Sequence, residues 1–160
     1  VIASAIELTE PRLRQDRVDL IWQPPAEPVF AWGGEVRLSQ VFVNLINNAA
    51  DAMLEQEQRE IRIAIETRHD EGDARLAVIV RDIGPGLKEP EKIFDPFYST
   101  KAVGSSEGMG LGLSISYGLV QSFGGHIRGV NTGDGAEFTV ELDRWRAQAD
   151  TDTQQQDEVA

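Results

Sequence analysis

The stretch EVRLSQVFVNLINNAADAM, residues 35–53, decides the fold class. Its apolar residues recur at the spacing of one helical face, and they are Leu38, Val41, Phe42, Leu45, Ile46, Ala49 and Met53. Beside this stripe, Asn44, Asn48 and Asp51 lie within about 60° of one another around the helix axis. Asparagine costs a helix up to about 0.7 kcal/mol relative to alanine. Two interpretations of these amides therefore stay open, an exposed polar face and a set of oxygen ligands for a hard cation and phosphates.

The hydrophobic pattern outside this helix predicts a mixture of helices and strands. The expected elements are a short helix over 2–13, strands over 18–23 and 29–32, a hairpin of 61–65 with 76–80, a helix ending at Phe123, and a hairpin of 127–130 with 137–142. Pro24-Pro25 separates the first two strands, which we expect to pair as a small antiparallel ribbon. The polar stretch 69–73 is expected to form the loop of the first hairpin.

The composition and charge of the chain exclude several classes of function. The chain has 160 residues, 41% hydrophobic and 26% charged, which is typical of one globular domain. Its formal net charge of −12 argues against nucleic acid or an anionic membrane as a partner. The absence of cysteine excludes disulfides and thiolate sites and suits a cytoplasmic setting. A start at Val1 instead of methionine predicts a piece of a longer protein.

A carboxylate and two glycines follow the apolar strand that ends at Val80. They belong to the segment Arg81-Asp82-Ile83-Gly84-Pro85-Gly86. An ionised Asp82 can only accept hydrogen bonds, so the amino group of a flat heterocycle is a natural donor to it. Gly84 and Gly86 would let the backbone approach such a ring without a Cβ in the way. An ordinary Asp-Gly turn after a strand is the competing interpretation.

Three alternate glycines, Gly108, Gly110 and Gly112, open the helix that runs to Phe123. Successive amide N–H groups at a helix start, together with the helix dipole, favour a phosphate. The spacing matches neither the Walker loop, which needs Gly-Lys-Ser/Thr, nor the dinucleotide-binding fingerprint, which needs a preceding strand.

An aromatic segment, Ile93-Phe94-Asp95-Pro96-Phe97-Tyr98-Ser99-Thr100-Lys101, precedes this glycine run. We expect Phe94 and Phe97 to form a small hydrophobic cluster under a loop. The stretch from Ala102 to Glu107 consists mostly of small residues and is expected to be a mobile lid above that cluster. The simplest interpretation of Lys101 is a lysine whose side chain is exposed to solvent.

Taken in this order, the four segments resemble the N, G1, F and G2 boxes of sensor histidine kinases. The resemblance extends from about Ile2 to Leu142 and implies a catalytic ATP-binding domain of the Bergerat type over residues 1–146. The implied fold is α+β, a two-layer α/β sandwich with a mixed, mostly antiparallel sheet and helices packed on one face. The sequences of Asp95 to Lys101 and of Leu113 to Ser116 are similar to those of kinases of the nitrogen-regulation and C4-dicarboxylate-sensing type. Residues 147–160 are expected to be an acidic, disordered tail.

The resemblance implies ATP and Mg²⁺ as cofactors and a role for each matching residue. Asn48 is the implied Mg²⁺ ligand, Asn44 and Lys101 are the implied catalytic residues at the phosphates, and Asp82 would accept from the adenine amine. The implied nucleotide-binding set is Asn48, Asp51, Asp82, Gly84, Gly86, Phe97, Lys101, Gly108, Gly110, Leu111 and Gly112. Gyrase-like and Hsp90-like relatives have a glutamate at the place of Asn44. An asparagine cannot activate water as a base, which favours phosphoryl transfer over hydrolysis.

The chain lacks an evident phosphoacceptor. Its only histidines, His69 and His126, are expected to be surface residues of turns. The implied partners are therefore a dimerisation domain of the same full-length kinase, which carries the acceptor histidine, and a downstream response regulator. The implied location is the cytoplasm, either free or as the cytoplasmic part of a membrane-bound sensor, without membrane contact by this domain. Two alternatives stay open, an anti-sigma-factor-type serine kinase and a nucleotide-sensing module without transfer.

Overall fold

The computed structural model describes residues 1–70, 73–99 and 111–145. Its elements are α1 (Ile2–Gln15), β1 (Asp19–Gln23), β2 (Phe30–Ala31), α2 (Glu35–Ala52), β3 (Glu60–Asp70), β4 (Asp73–Asp82), a single 3₁₀ turn (Pro90–Lys92), α3 (Gly112–Ser122), β5 (His126–Asn131) and β6 (Ala136–Trp145). Within these ranges no helix combines the length and apolar character that crossing a bilayer requires. The expected α+β class is confirmed.

The six strands form one mixed sheet. Its order is β1-β3-β4-β6, and β5 and β2 pair with successive parts of β6 beyond it. Only β1 and β3 run parallel, and every other pair is antiparallel. In the centre of the sheet, Val78 lies opposite Ile65 on one side and Val140 on the other. The expected mixed, mostly antiparallel sheet is confirmed.

The predicted ribbon between the first two strands is wrong. β1 pairs with β3 at one edge of the sheet, where Leu20 lies opposite Ile61. β2 pairs with the end of β6, where Phe30 lies opposite Trp145. Pro24-Pro25 explains this outcome, because each proline has a fixed φ and no N–H to give to a ladder. The chain therefore leaves β1 and joins a different part of the sheet.

The core lies between α2 and one face of the sheet. α2 packs on β3 and β4, with α1 and α3 on its two sides. The apolar stripe predicted for α2 is buried throughout, and its members are Leu38, Val41, Phe42, Leu45, Ile46, Ala49 and Met53. From the sheet, alternate residues such as Ile61, Ile63, Val78 and Val80 complete the core. The helices thus cover one face, as expected for a two-layer sandwich.

The other face of the sheet is covered by its own long side chains. Ion pairs join Arg68 to Glu141 at 2.5 Å, Arg81 to Glu137 at 2.5 Å, and Arg75 to Asp143 at 3.4 Å. Small or apolar residues between these pairs are buried although no helix packs on them in the described part of the chain, and they are Ala77, Ile79 and Thr139. The arginine stems therefore take the place of a second helical layer.

The two histidines occupy strands. His69 was expected in the loop of the first hairpin, but it lies in β3 opposite Ala74, because both strands run to the tip of the hairpin. His126 begins β5 directly after the predicted helix stop, and Gly124 there has a φ of +70°. Neither position is in a helical hairpin of the kind that the resemblance requires for a phosphoacceptor.

The position of the core predicts that truncation of two isoleucines on adjacent strands lowers the stability of the domain to very different extents. Ile63→Ala should lower the free energy of unfolding by about 2–5 kcal/mol, because Ile63 is 1% exposed and its loss leaves a cavity. Ile21→Ala on the adjacent strand is the matched control and should cost much less, because Ile21 is 37% exposed. Urea denaturation measures both losses, provided that the dependence of the unfolding free energy on urea concentration has the same slope in all variants. Equal losses would contradict this description of the core.

Candidate functional site

The carboxyl group of Asp82 ends β4 and is almost completely buried. The residue is 6% exposed. Its Oδ1 accepts from the backbone N–H of Gly84 at 2.8 Å and from that of Ala136 at 3.3 Å. In the described part of the chain both hydrogen bonds go to Oδ1, which leaves Oδ2 to an outside donor. The predicted acceptor is therefore present, and a loop and a turn hold it in place.

Burial also sets the electrostatics of this carboxyl group. It raises the pKa of Asp82, and the hydrogen bonds from Gly84 and Ala136 oppose the shift without cancelling it. The same exclusion of water strengthens any hydrogen bond that a ligand donates to the group. A ligand amine that reaches Asp82 would therefore gain more here than at a solvated carboxylate.

The backbone after Asp82 is fixed by Asn131, the last residue of β5. Asn131 Oδ1 accepts from Leu87 N at 2.5 Å, and Asn131 Nδ2 donates to Leu87 O at 2.9 Å. Gly86 has a φ of +84°, and a Cβ on it would lie 2.6 Å from Asn131 Oδ1. Glycine is thus required at position 86 by both its conformation and its surroundings.

Asn44 of α2 faces the beginning of α3. Its Nδ2 donates to Oγ of Ser116 at 3.0 Å, and Ser116 is 2% exposed. A Cβ on Gly112 would lie 2.4 Å from Asn44 Oδ1, so the close approach of the two helices depends on glycine there. The amide of Asn44 is therefore held in one orientation, with its oxygen against the first residue of α3.

The remaining polar residues of α2 differ in their surroundings. Asn48 is half-buried and follows Asn44 by one helical turn. Asn47 Oδ1 is buried and has no hydrogen-bond partner among the described residues. Asp51 forms an ion pair with Arg12 of α1, and its side chain is 8% exposed. The structure thus keeps Asn44 and Asn48 in line along the helix and ties Asp51 to α1.

The aromatic segment fits the prediction only in part. Ile93 is buried, and the ring of Phe94 lies 5.3 Å from that of Tyr117 on α3, so Phe94 belongs to a hydrophobic cluster as expected. Phe97 does not, because it is 71% exposed and has a φ of +65°. The backbone turn after Pro96 therefore carries the ring of Phe97 away from the cluster that contains Phe94.

Several predicted residues of the phosphate end lie outside the described residues. They are Lys101, Gly108 and Gly110, together with the lid expected over 102–107. Of the glycine run, the described part contains Leu111 and Gly112. α3 begins at Gly112, with Leu111 as its N-cap, and the Leu111 carbonyl accepts from Ile115 N at 2.9 Å and Ser114 Oγ at 2.9 Å.

Two residues of the site, Ser116 and Asn131, were assigned no role from the sequence. Ser116 carried a usable signal, because it is a polar residue between Leu113 and Val120 on the apolar side of α3. Asn131 carried none, because an asparagine just before a Thr-Gly-Asp-Gly turn is common for local reasons. Its partner, Leu87, is distant in sequence.

The described residues fit a nucleotide with a magnesium ion. The first amides of α3 lack intrahelical acceptors and suit a phosphate. Absence of a Cβ at Gly112 leaves the Asn44 amide oxygen beside that helix start. The described ranges contain no cluster of three or more His, Asp or Glu side chains that could hold a metal ion. A cation here would therefore depend on amide, phosphate and water oxygens, which is the coordination that Mg²⁺ accepts.

Comparison with known proteins identifies the family. Residues 33–146 match the family model of histidine kinase-, DNA gyrase B-, and HSP90-like ATPases. The chain belongs to this family, which implies ATP binding. More narrowly, it is the catalytic domain of a two-component sensor histidine kinase, as the relatives below show.

Two curated relatives illustrate the likeness. The two-component sensor PprA of Pseudomonas aeruginosa is 38% identical over 144 residues, which cover 86% of this chain and 15% of the relative. The C4-dicarboxylate transport sensor protein DctB of Rhizobium meliloti is 35% identical over 148 residues, which cover 89% of this chain and 22% of the relative. The chain therefore spans about a fifth of the length of such relatives, and the expected similarity to dicarboxylate sensors is confirmed.

Solved structures agree with the sequence relatives. The catalytic domain of histidine kinase ThkA, in a nucleotide-free form, matches with a TM-score of 0.70 at 29% identity, covering 89% of this chain and 91% of that one. Full-length ShkA in complex with AMPPNP matches with a TM-score of 0.70 at 27% identity, covering 92% of this chain and 30% of that one. The expected fold is thus confirmed over nearly the whole chain.

The raised pKa of Asp82 predicts a pH dependence of stability. Wild type and Asp82→Asn should be compared by urea denaturation without nucleotide between about pH 4 and pH 7. The folded state binds this proton more tightly than the unfolded state, so the contribution of Asp82 to stability is greatest at low pH. The stability of wild type relative to Asp82→Asn should therefore fall as the pH rises. A difference that stays constant or grows would contradict the raised pKa.

Proposed function

We propose that this domain binds Mg²⁺-ATP and donates the γ-phosphoryl group to a histidine on the dimerisation domain of its full-length kinase. One observation carries the proposal, the fixed amide of Asn44 at the beginning of α3. This neutral amide is tied to Ser116 at 3.0 Å and, in the proposed site, would lie beside the phosphates. A neutral amide can position phosphate oxygens but cannot deprotonate water. This supports transfer to another group over hydrolysis.

The adenine ring is proposed to bind at Asp82. The buried carboxylate would accept from the exocyclic amine, with Gly84 and Gly86 forming the wall beside the ring. Phe97, with its exposed ring, is proposed to contact the nucleotide from the rim. Asp51 would act indirectly, because its ion pair with Arg12 fixes the end of α2 next to Ala52, which lies against Gly84.

The phosphates are proposed to bind between α2 and the start of α3. The amides at Leu111 and Gly112 would face them, and Lys101, Gly108 and Gly110 are proposed to complete the site. Asn48 would hold Mg²⁺ together with phosphate and water oxygens. When bound, the ion would neutralise negative charge on the phosphates. In a chain of net charge −12, such local devices are needed to hold an anionic ligand.

Phosphoryl transfer places few demands on the chain beyond positioning and charge neutralisation. Asn44 and Lys101 are the proposed catalytic residues for this purpose. The acceptor is proposed to be a histidine outside this chain, because His69 and His126 both lie in strands. A response regulator is the proposed receiver of the phosphoryl group from that histidine. We place the reaction in the cytoplasm, where ATP is available.

The role of Asn48 can be tested through the magnesium dependence of nucleotide binding. Asn48→Ala should weaken ADP binding about tenfold at saturating Mg²⁺, and have little effect in excess chelator, because it removes an oxygen ligand. Asn47→Ala on the same helix is the matched control and should leave the Mg²⁺ dependence unchanged. Calorimetric titration measures both variants. An unchanged Mg²⁺ titration for Asn48→Ala would refute the assignment.

The transfer itself can be tested with two separate polypeptides. Mixing this domain and Mg²⁺-ATP with a separately made dimerisation hairpin of its kinase should label the hairpin histidine. The reaction should be slow, because the missing linker removes an effective concentration in the millimolar range. The domain alone should hydrolyse ATP poorly and stay unlabelled, as detected with radioactive phosphate.

Other outcomes of this experiment favour other functions. Label on His69 or His126 would show that the acceptor lies within this chain. Brisk hydrolysis by the domain alone would indicate a gyrase-like ATPase. Transfer to a serine substrate supplied in place of the hairpin would favour the serine kinase, and tight ATP binding without transfer to either substrate would favour the nucleotide-sensing module.

A further inference from the structure

The turn between β5 and β6 holds the segment 82–87 at two points. At one end, Ala136 N donates to Asp82 Oδ1 at 3.3 Å. At the other end, the amide of Asn131 makes its pair of hydrogen bonds with the backbone of Leu87, at 2.5 Å and 2.9 Å. The turn is itself closed by Thr132, whose Oγ1 accepts from Gly135 N at 3.0 Å and whose N–H donates to Gly135 O at 2.8 Å. A rigid turn thus supports an irregular segment.

The segment needs this support because it has little of its own. Residues 83–89 form neither helix nor strand, and their backbone groups therefore lack a regular ladder. The Asn131 amide supplies both a donor and an acceptor to one residue, as a neighbouring strand would. Asn131 Oδ1 also occupies the space that a Cβ of Gly86 would fill. The position of Gly86 therefore follows the position of the Asn131 side chain.

We infer that Asn131 is a positioning residue for the nucleobase. It acts through Leu87 and Gly86, which it holds at a fixed distance from Asp82, and it does not itself contact the ligand. The inference rests on the proposed binding of adenine at Asp82. Without the Asn131 amide, the wall formed by Gly84 and Gly86 moves away from the carboxylate, and the match to adenine is lost while the phosphate end is unaffected.

The test compares ADP with IDP, the inosine analogue, in calorimetric titrations with Mg²⁺. IDP has a carbonyl where adenine has the amine, so it cannot donate to Asp82, and wild type should prefer ADP. Asn131→Ala should weaken the binding of ADP about tenfold and that of IDP by less than about threefold. A tenfold loss is the usual order for removing one or two hydrogen bonds. The affinity of Asn131→Asp for ADP should lie between those of wild type and Asn131→Ala, because aspartate keeps the acceptor for Leu87 N and loses the donor to Leu87 O.

Ser122→Ala is the matched control, since it also removes one exposed hydrogen bond from a side chain to the backbone, far from this segment. It should leave both affinities unchanged. Hydrogen exchange at the Leu87 amide, without nucleotide, should be at least about tenfold faster in Asn131→Ala than in wild type.

The possible results separate the two proposals. Wild type that binds ADP no better than IDP would refute adenine recognition by Asp82 and this inference with it. Wild type that prefers ADP, together with an Asn131→Ala variant that keeps the same preference, would overturn the inference alone. Equal weakening of ADP and IDP would also overturn it, because Asn131 would then only stabilise the fold.

Discussion

A carboxylate buried at the end of a strand must receive hydrogen bonds, and Asp82 receives them from two directions. Gly84 donates from the loop that follows β4, and Ala136 donates from the start of β6. One oxygen atom therefore joins the end of β4 and the loop that follows it to the start of β6, 54 residues further along the chain. The burial that makes this junction costly for an ionised group also makes it selective, because only a well-placed donor can compensate for lost water.

The two ends of the site depend on different parts of the fold. The end at Asp82 belongs to the sheet, and its loop is held by a turn between two strands. The end at Asn44 belongs to the helical layer, where α2 and α3 approach so closely that Gly112 has no room for a Cβ. A ligand that bridges both ends connects the two layers.

Sequence reasoning succeeded where a repeated physical pattern was present. The apolar stripe of α2 and the alternation along Ile61, Ile63 and Ile65 each contain several residues, and all of them indicate the same buried face of the helix or strand. It failed where one backbone angle or one long-range contact decided the outcome. The positive φ of Phe97 removed its ring from the predicted cluster, and the bond between Asn131 and Leu87 joins two residues with no shared local signal. Pairing of the first strands was missed because each short strand was compatible with more than one neighbour.

The sheet face opposite the helices has a consequence for how this domain can meet other protein surfaces. Arginines of β3 and β4 share this face with carboxylates of β6, and the pairs Arg68–Glu141, Arg75–Asp143 and Arg81–Glu137 are formed within the chain. Another surface could adhere here only by stripping water from several ion pairs at once, which is unfavourable. This face of the sheet therefore favours contact with water over contact with another protein surface.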